Sequence, residues 1–100
     1  MSLDKLTDDI LGWGIDKGIL PHAEPLSQLE KTEEEVAELR QAIYEHDIEE
    51  VKDAIGDIYV TIVMQAEAWG FTMEDCVQAA YDVISKRTGR MVDGKFVKDK

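Results

Sequence analysis

The sequence predicts an all-α fold, a four-helix bundle-like arrangement. Three observations carry this. Apolar residues recur three and four positions apart through four separate stretches. Helix-capping residues (Ser2, Asp47, Thr72) stand at the starts of three of them, and Gly18, Gly70 and Gly89 stand past the ends of three. The links between stretches are short, which in a helical chain makes sequential helices antiparallel neighbours.

The first helix is expected over about residues 3–17. Ser2 caps it, and Asp4 sits in the first turn, where the helix dipole favours negative charge. Leu3, Leu6, Ile10 and Trp13 mark its buried face, and Gly12 and Gly14 weaken its end. Residues 18–25 read as a loop, because Pro21 and Pro25 each disfavour helix in the residue before them. The second helix is expected over about 26–45. Leu29, Val36, Leu39 and Ile43 give its apolar stripe, while Glu35, Glu38 and Ala42 lie on the strip beside it. Glu30, Glu33 and Arg40 face solvent. His46 and Asp47 form a turn in which neither His46 nor the earlier His22 is given a role.

The third helix is expected over about 48–69, closed by Gly70. Val51, Ile55, Ile58, Ile62, Ala66 and Trp69 form its main face. Val60, Val63 and Met64 make it apolar nearly all round. A helix apolar on most sides is buried on most sides, at the centre of a bundle or in a subunit interface. The fourth is expected over about 73–87, with Thr72 and Asp75 placed as a capping box and Cys76, Ala79, Ala80, Val83 and Ile84 facing inward. Residues 88–100 read as a basic tail, with Asp93-Gly94 a turn within it. Residues 86–100 hold Lys86, Arg87, Arg90, Lys95, Lys98 and Lys100, six of the eleven basic residues.

Length and composition bound the function. One hundred residues suit one domain spanning 1–100, with a modest core that makes oligomers plausible. A hydrophobic content of 44% excludes a wholly disordered chain. A net charge of -11 argues against nucleic acid and anionic membrane as partners and suits a cation binder. No apolar run is long enough to span a bilayer. Cys76 is alone, so no internal disulfide forms and a reducing cytoplasm is the expected compartment. Met1-Ser2-Leu3-Asp4 lacks the basic-then-apolar pattern of a signal peptide.

Two acidic stretches carry the chemistry: Glu34-Glu35-Val36-Ala37-Glu38 and Asp53-Ala54-Ile55-Gly56-Asp57. From Ala54 to Ala66 the only charged side chain is Asp57. A charge in so apolar a segment pairs, neutralises or binds a metal. A buried ion pair with Lys or Arg is the alternative for Asp57. Helical spacing aims Glu35 and Glu38 along one helix, and Asp53 and Asp57 along its neighbour. Four oxygens on facing helices suit a hard divalent cation such as Mg2+, which completes its shell with substrate phosphates. Lys86 and Arg90, at i, i+4 if the fourth helix reaches them, then suit outer phosphates. A solvated or interface-ordering tail explains the same residues. Trp13 and Tyr59 can stack on a base, though core packing explains both more simply. Cys76 reads as a small hydrophobe.

Glu34-Glu35-Val36-Ala37-Glu38-Leu39 resembles the EExxE motif of the MazG-like nucleotide pyrophosphohydrolases, in the all-α NTP pyrophosphatase superfamily. Ile55-Gly56-Asp57-Ile58-Tyr59 resembles the later ExxD element. Trp13 with Asp16-Lys17-Gly18-Ile19, and the run Lys86-Arg87-Thr88-Gly89-Arg90-Met91-Val92, also look like small stand-alone members, so the likeness covers nearly the whole chain. One departure is plain: the ExxD acid falls at Ala54, and Asp53 is expected to take its place. The resemblance implies Mg2+-dependent (alternatively Mn2+-dependent) hydrolysis of a nucleoside triphosphate between the α and β phosphates, giving nucleoside monophosphate and pyrophosphate. It implies Glu35, Glu38 and Asp57 as metal ligands with Asp53 beside them, and Glu34 and Glu38 as catalytic residues, Glu34 orienting or deprotonating the attacking water or joining the metal shell. It further implies phosphate binding by Lys86, Arg87 or Arg90 and a homodimer or homotetramer with helices packed across subunits. A non-catalytic helical metal-binding or oligomerisation module is the competing reading, kept open by Ala54.

Overall fold

A computed structural model describes residues 2–99. Met1 and Lys100 lie outside the described residues, and with them the start of the leader reading and the last of the six basic residues. Four helices and one β-hairpin follow in order: α1 (Leu3–Asp16), α2 (Pro25–Glu45), α3 (Ile48–Ala68), α4 (Met73–Ile84), β1 (Gly89–Val92) and β2 (Lys95–Lys98). The fold is all-α with a small two-stranded appendage.

The caps form where the residue types require them. Ser2 Oγ accepts the Lys5 N–H (3.1 Å), Asp47 Oδ1 the Glu50 N–H (3.2 Å) and Thr72 Oγ1 the Asp75 N–H (3.0 Å). Each satisfies a backbone donor that the first helical turn leaves open. Pro25 opens α2, one residue earlier than expected, because its missing N–H costs nothing in the first turn. His46, at φ 54°, reverses the chain between α2 and α3.

α2 and α3 form an antiparallel pair along most of their length, and α1 and α4 each pack on α3. Two side-chain bonds set the α2–α3 register. Thr61 Oγ1 donates to the Ile58 carbonyl (2.8 Å) and accepts from Thr32 Oγ1 (2.8 Å). Gln65 Nε2 donates to the Pro25 carbonyl (2.9 Å). Ala42 and Ala54 (2% and 0% exposed) fill the seam between the helices. Gly14 is buried where α1 crosses α3, because a Cβ there would lie 2.7 Å from Met64 Cε.

Three expectations change. First, α4 stops at Ile84, so Lys86 and Arg90 do not share a helical face. Arg90 lies instead on β1, paired with Val97. Second, residues 89–98 are a hairpin rather than a tail. Asp93 and Gly94 both have positive φ (50° and 79°), the conformation of a two-residue turn that matches strand twist. No helix packs against either strand.

Third, the buried faces differ. The inner side of α1 is Thr7, Ile10, Leu11 and Gly14, whereas Leu3, Leu6 and Trp13 are exposed. In α4 no residue is fully buried, and Ala79, Ala80, Val83 and Ile84 all lie open. Leu29, Val36 and Ile43 on α2, and Ile48, Ile55, Ile62 and Trp69 on α3, are also exposed. These seven recur every seven residues, the period of a helix seam that expects a facing helix. The exposed surface of the chain is 7943 Å², against about 5,700 Å² for a compact monomer of its mass. Its radius of gyration is 15.7 Å, against about 13 Å for a compact chain of this length. The apolar faces are thus those of a chain that does not complete its own core.

Candidate active site

The acidic site lies on the α2–α3 pair, beside the Thr32–Thr61 bond. Glu35 is one turn after Thr32, and Asp57 one turn before Thr61. Because the helices run antiparallel, pinning the threonines together brings those acids face to face. One carboxylate oxygen from each of Glu35, Glu38 and Asp57 lies within 4.8 Å of the others. Glu35 and Asp57 are half-buried and Glu38 is exposed, so the group is sunk at its base and open above. Helical phase sets the acids on the opposite flank of the pair from the heptad stripe.

Electrostatics mark the cluster as strained without a cation. Glu35 Oε2 is buried and has no hydrogen-bond partner. The Glu35 carboxyl is held above the ordinary carboxylate range, first by hydrogen bonding to Glu38, then by burial and the nearby charges of Glu38 and Asp57. Asp57 is raised first by burial, then by Asp53 and Glu38. Burial and like charge both disfavour the ionised form. A hard divalent cation relieves both, and it takes oxygen donors from two or three carboxylates with the rest of its shell open. The donor set, with one buried oxygen otherwise unsatisfied, fits such an ion.

The remaining sequence-predicted residues fall into two groups. Asp53 neighbours Asp57 closely enough to raise its pKa, yet it stands outside the three-oxygen group. Glu34 is exposed, with Lys31 Nζ 3.5 Å from its carboxylate. Trp13 is half-exposed on α1. Lys86 and Arg87 follow α4, Arg90 sits on β1, and none of their side chains makes an ion pair among the described residues. The structure therefore gathers Glu35, Glu38 and Asp57, places Asp53 alongside, and leaves the basic residues apart.

Two features escaped the motif reading. Position 54 faces the seam with α2, since Ala54 lies two turns before Thr61 on the same strip and is fully buried. The position is one turn before Asp57, in the closely packed part of the seam. Glu50 also belongs to the acidic field. Its carboxyl is raised by desolvation, then by Asp53, Asp47, Glu38 and Asp57. The signal was present in the sequence, because Glu50, Asp53 and Asp57 follow the i, i+3, i+7 spacing of one helical face.

The fold and site define a class: an all-α protein whose central helix pair carries a carboxylate centre suited to a divalent cation. A family model, the MazG nucleotide pyrophosphohydrolase domain, matches residues 23–92, and the chain belongs to that family. The match spans α2, α3, α4 and β1 and so includes every acid of the cluster. No curated protein and no solved structure matches the chain. No helix is long and apolar enough to cross a membrane among the described residues.

Proposed function

We propose that the chain is a Mg2+-dependent nucleoside triphosphate pyrophosphohydrolase, cleaving between the α and β phosphates. The observation that carries this is the convergence of Glu35, Glu38 and Asp57 oxygens within 4.8 Å around a buried, unpartnered Glu35 oxygen, in a chain of this family. Glu35, Glu38 and Asp57 would hold the ion, with Asp53 the additional ligand. Mg2+ (or Mn2+) would neutralise phosphate charge and acidify water at the site.

Glu38 is exposed at the mouth of the cluster and takes the proton from the attacking water. Glu34, one position before Glu35, orients that water. The water oxygen bonds to phosphorus at the α–β anhydride, and the bridging P–O bond breaks. Its electron pair leaves with pyrophosphate, and the other product is the nucleoside monophosphate. Lys86, Arg87 and Arg90 bind the outer phosphates, and Trp13 stacks on the base. The heptad stripe of α2 and α3 packs against a second copy, giving a homodimer or homotetramer, and the compartment is the cytoplasm.

The test is a panel of nucleoside triphosphates with Mg2+, read as pyrophosphate release. Glu38→Gln should abolish turnover while retaining wild-type helical content. Activity absent across the panel, or wild-type rates in Glu38→Gln, refutes the reading.

A further inference from the structure

The hairpin and a groove on the other side of α3 are complementary. The groove, of about 540 Å³, runs over α3 between α1 and α4. Asp4, Asp8, Glu67 and Glu74 edge it, no Lys, Arg or His lines it, and its walls include Phe71 and Val77. It is an apolar trough with an acidic rim. The hairpin has the opposite character. Over residues 86–99 it and its approach carry five basic residues against two acids. Its register pairs Met91 with Phe96 and Gly89 with Lys98, so these share one face. Met91 and Phe96 are 65% and 52% exposed. Arg90, Val92, Lys95 and Val97 share the other face.

We propose that the hairpin of one copy seats its Met91–Phe96 face in the α1–α3–α4 groove of a second copy, and receives that copy's hairpin in return. Three observations favour a second copy as occupant. The hairpin packs on no helix of its own chain. Its charge complements the groove's rim. The chain exposes far more surface than a compact monomer does, and an exchanged arm is a symmetric, closed way to cover it. The Arg90 face stays open in this arrangement, so phosphate binding by Arg90 is compatible with it. The inference is independent of the catalytic reading and shares with it only that copies associate.

Single-cysteine variants of the full chain test it. Val77→Cys and Phe96→Cys are each made in a Cys76→Ser background, mixed, and oxidised mildly. A disulfide-linked dimer containing both variants is expected, in yield at least about tenfold above that from mixing Phe96→Cys with Tyr44→Cys, a position on α2 outside the groove. Yield no higher than that control overturns the proposal. So does an exclusively intramolecular disulfide in the Val77→Cys/Phe96→Cys double variant, which would place the hairpin in its own groove. Charge reversal gives a second measurement if a cysteine variant folds poorly. Glu67→Lys/Glu74→Lys and Lys98→Glu, on the seated face, should each weaken self-association about two- to fivefold per lost pair by sedimentation. Combining the two sets should restore it, and association unmoved by either set overturns the proposal. Nucleotide hydrolysis, measured in parallel, reports separately on the acidic site.

Discussion

Glu35→Gln should stabilise the metal-free protein and abolish its response to divalent cations. The Glu35 carboxylate oxygen lies within 4.8 Å of oxygens of Glu38 and Asp57. At that separation two unit charges repel by about 0.9 kcal/mol in water and about 3.5 kcal/mol at an effective dielectric of 20. The cluster is buried at its base and open above, so the gain from neutralising Glu35 lies between these limits, about 1–2 kcal/mol. The amide also offers a donor toward Glu38, the neighbour that contributes most to the raised Glu35 carboxyl. In a chain this size each kcal/mol moves the melting temperature by about 4–8 °C. Melting is followed by circular dichroism in EDTA and then in Mg2+. The wild type should gain stability on adding Mg2+, and Glu35→Gln should start higher and stay there. A variant that melts below the wild type in EDTA refutes the argument, because the buried oxygen would then be satisfied as a carboxylate.

Other expectations follow from the same geometry. Glu35 and Asp57 bind protons more tightly folded than unfolded, so metal-free stability is fully present below the ordinary carboxylate range, about pH 4, and falls as pH rises through their raised values. Urea midpoints in EDTA between pH 4 and 7 check this, and a rising trend counts against it. Thr61→Val leaves the Thr32 hydroxyl without its partner across the seam, costing about 1 kcal/mol and weakening Mn2+ affinity by isothermal titration, since the register of the acids depends on that bond. Gly14→Val drives a side chain against the fully buried Met64 and should cost about 1–3 kcal/mol by chemical denaturation.

Much of the helical fold was legible because its signals are local. Ser2, Asp47 and Thr72 cap where their hydroxyl or carboxylate can reach a free N–H, whatever the tertiary surroundings. Glu35, Glu38 and Asp57 were legible because helical spacing alone aims them at the neighbouring helix. What periodicity does not encode is who covers an apolar face. Leu29, Val36 and Ile43 form a regular stripe and read as core, yet this chain leaves them open. The turn at Asp93-Gly94 was legible, but four-residue strands on either side give too short an alternation to separate from a tail. Position 54 was read from motif spacing, and its burial depends on the α2–α3 register that Thr32 and Thr61 set.

The small residues in the α2–α3 seam separate two kinds of position around the site. With Ala54 and Ala42 fully enclosed, a longer side chain at position 54 has to be accommodated by movement of its neighbours. Glu50 and Asp53 stand on the exposed flank, so the charge around the cluster can be changed there without disturbing the helix spacing.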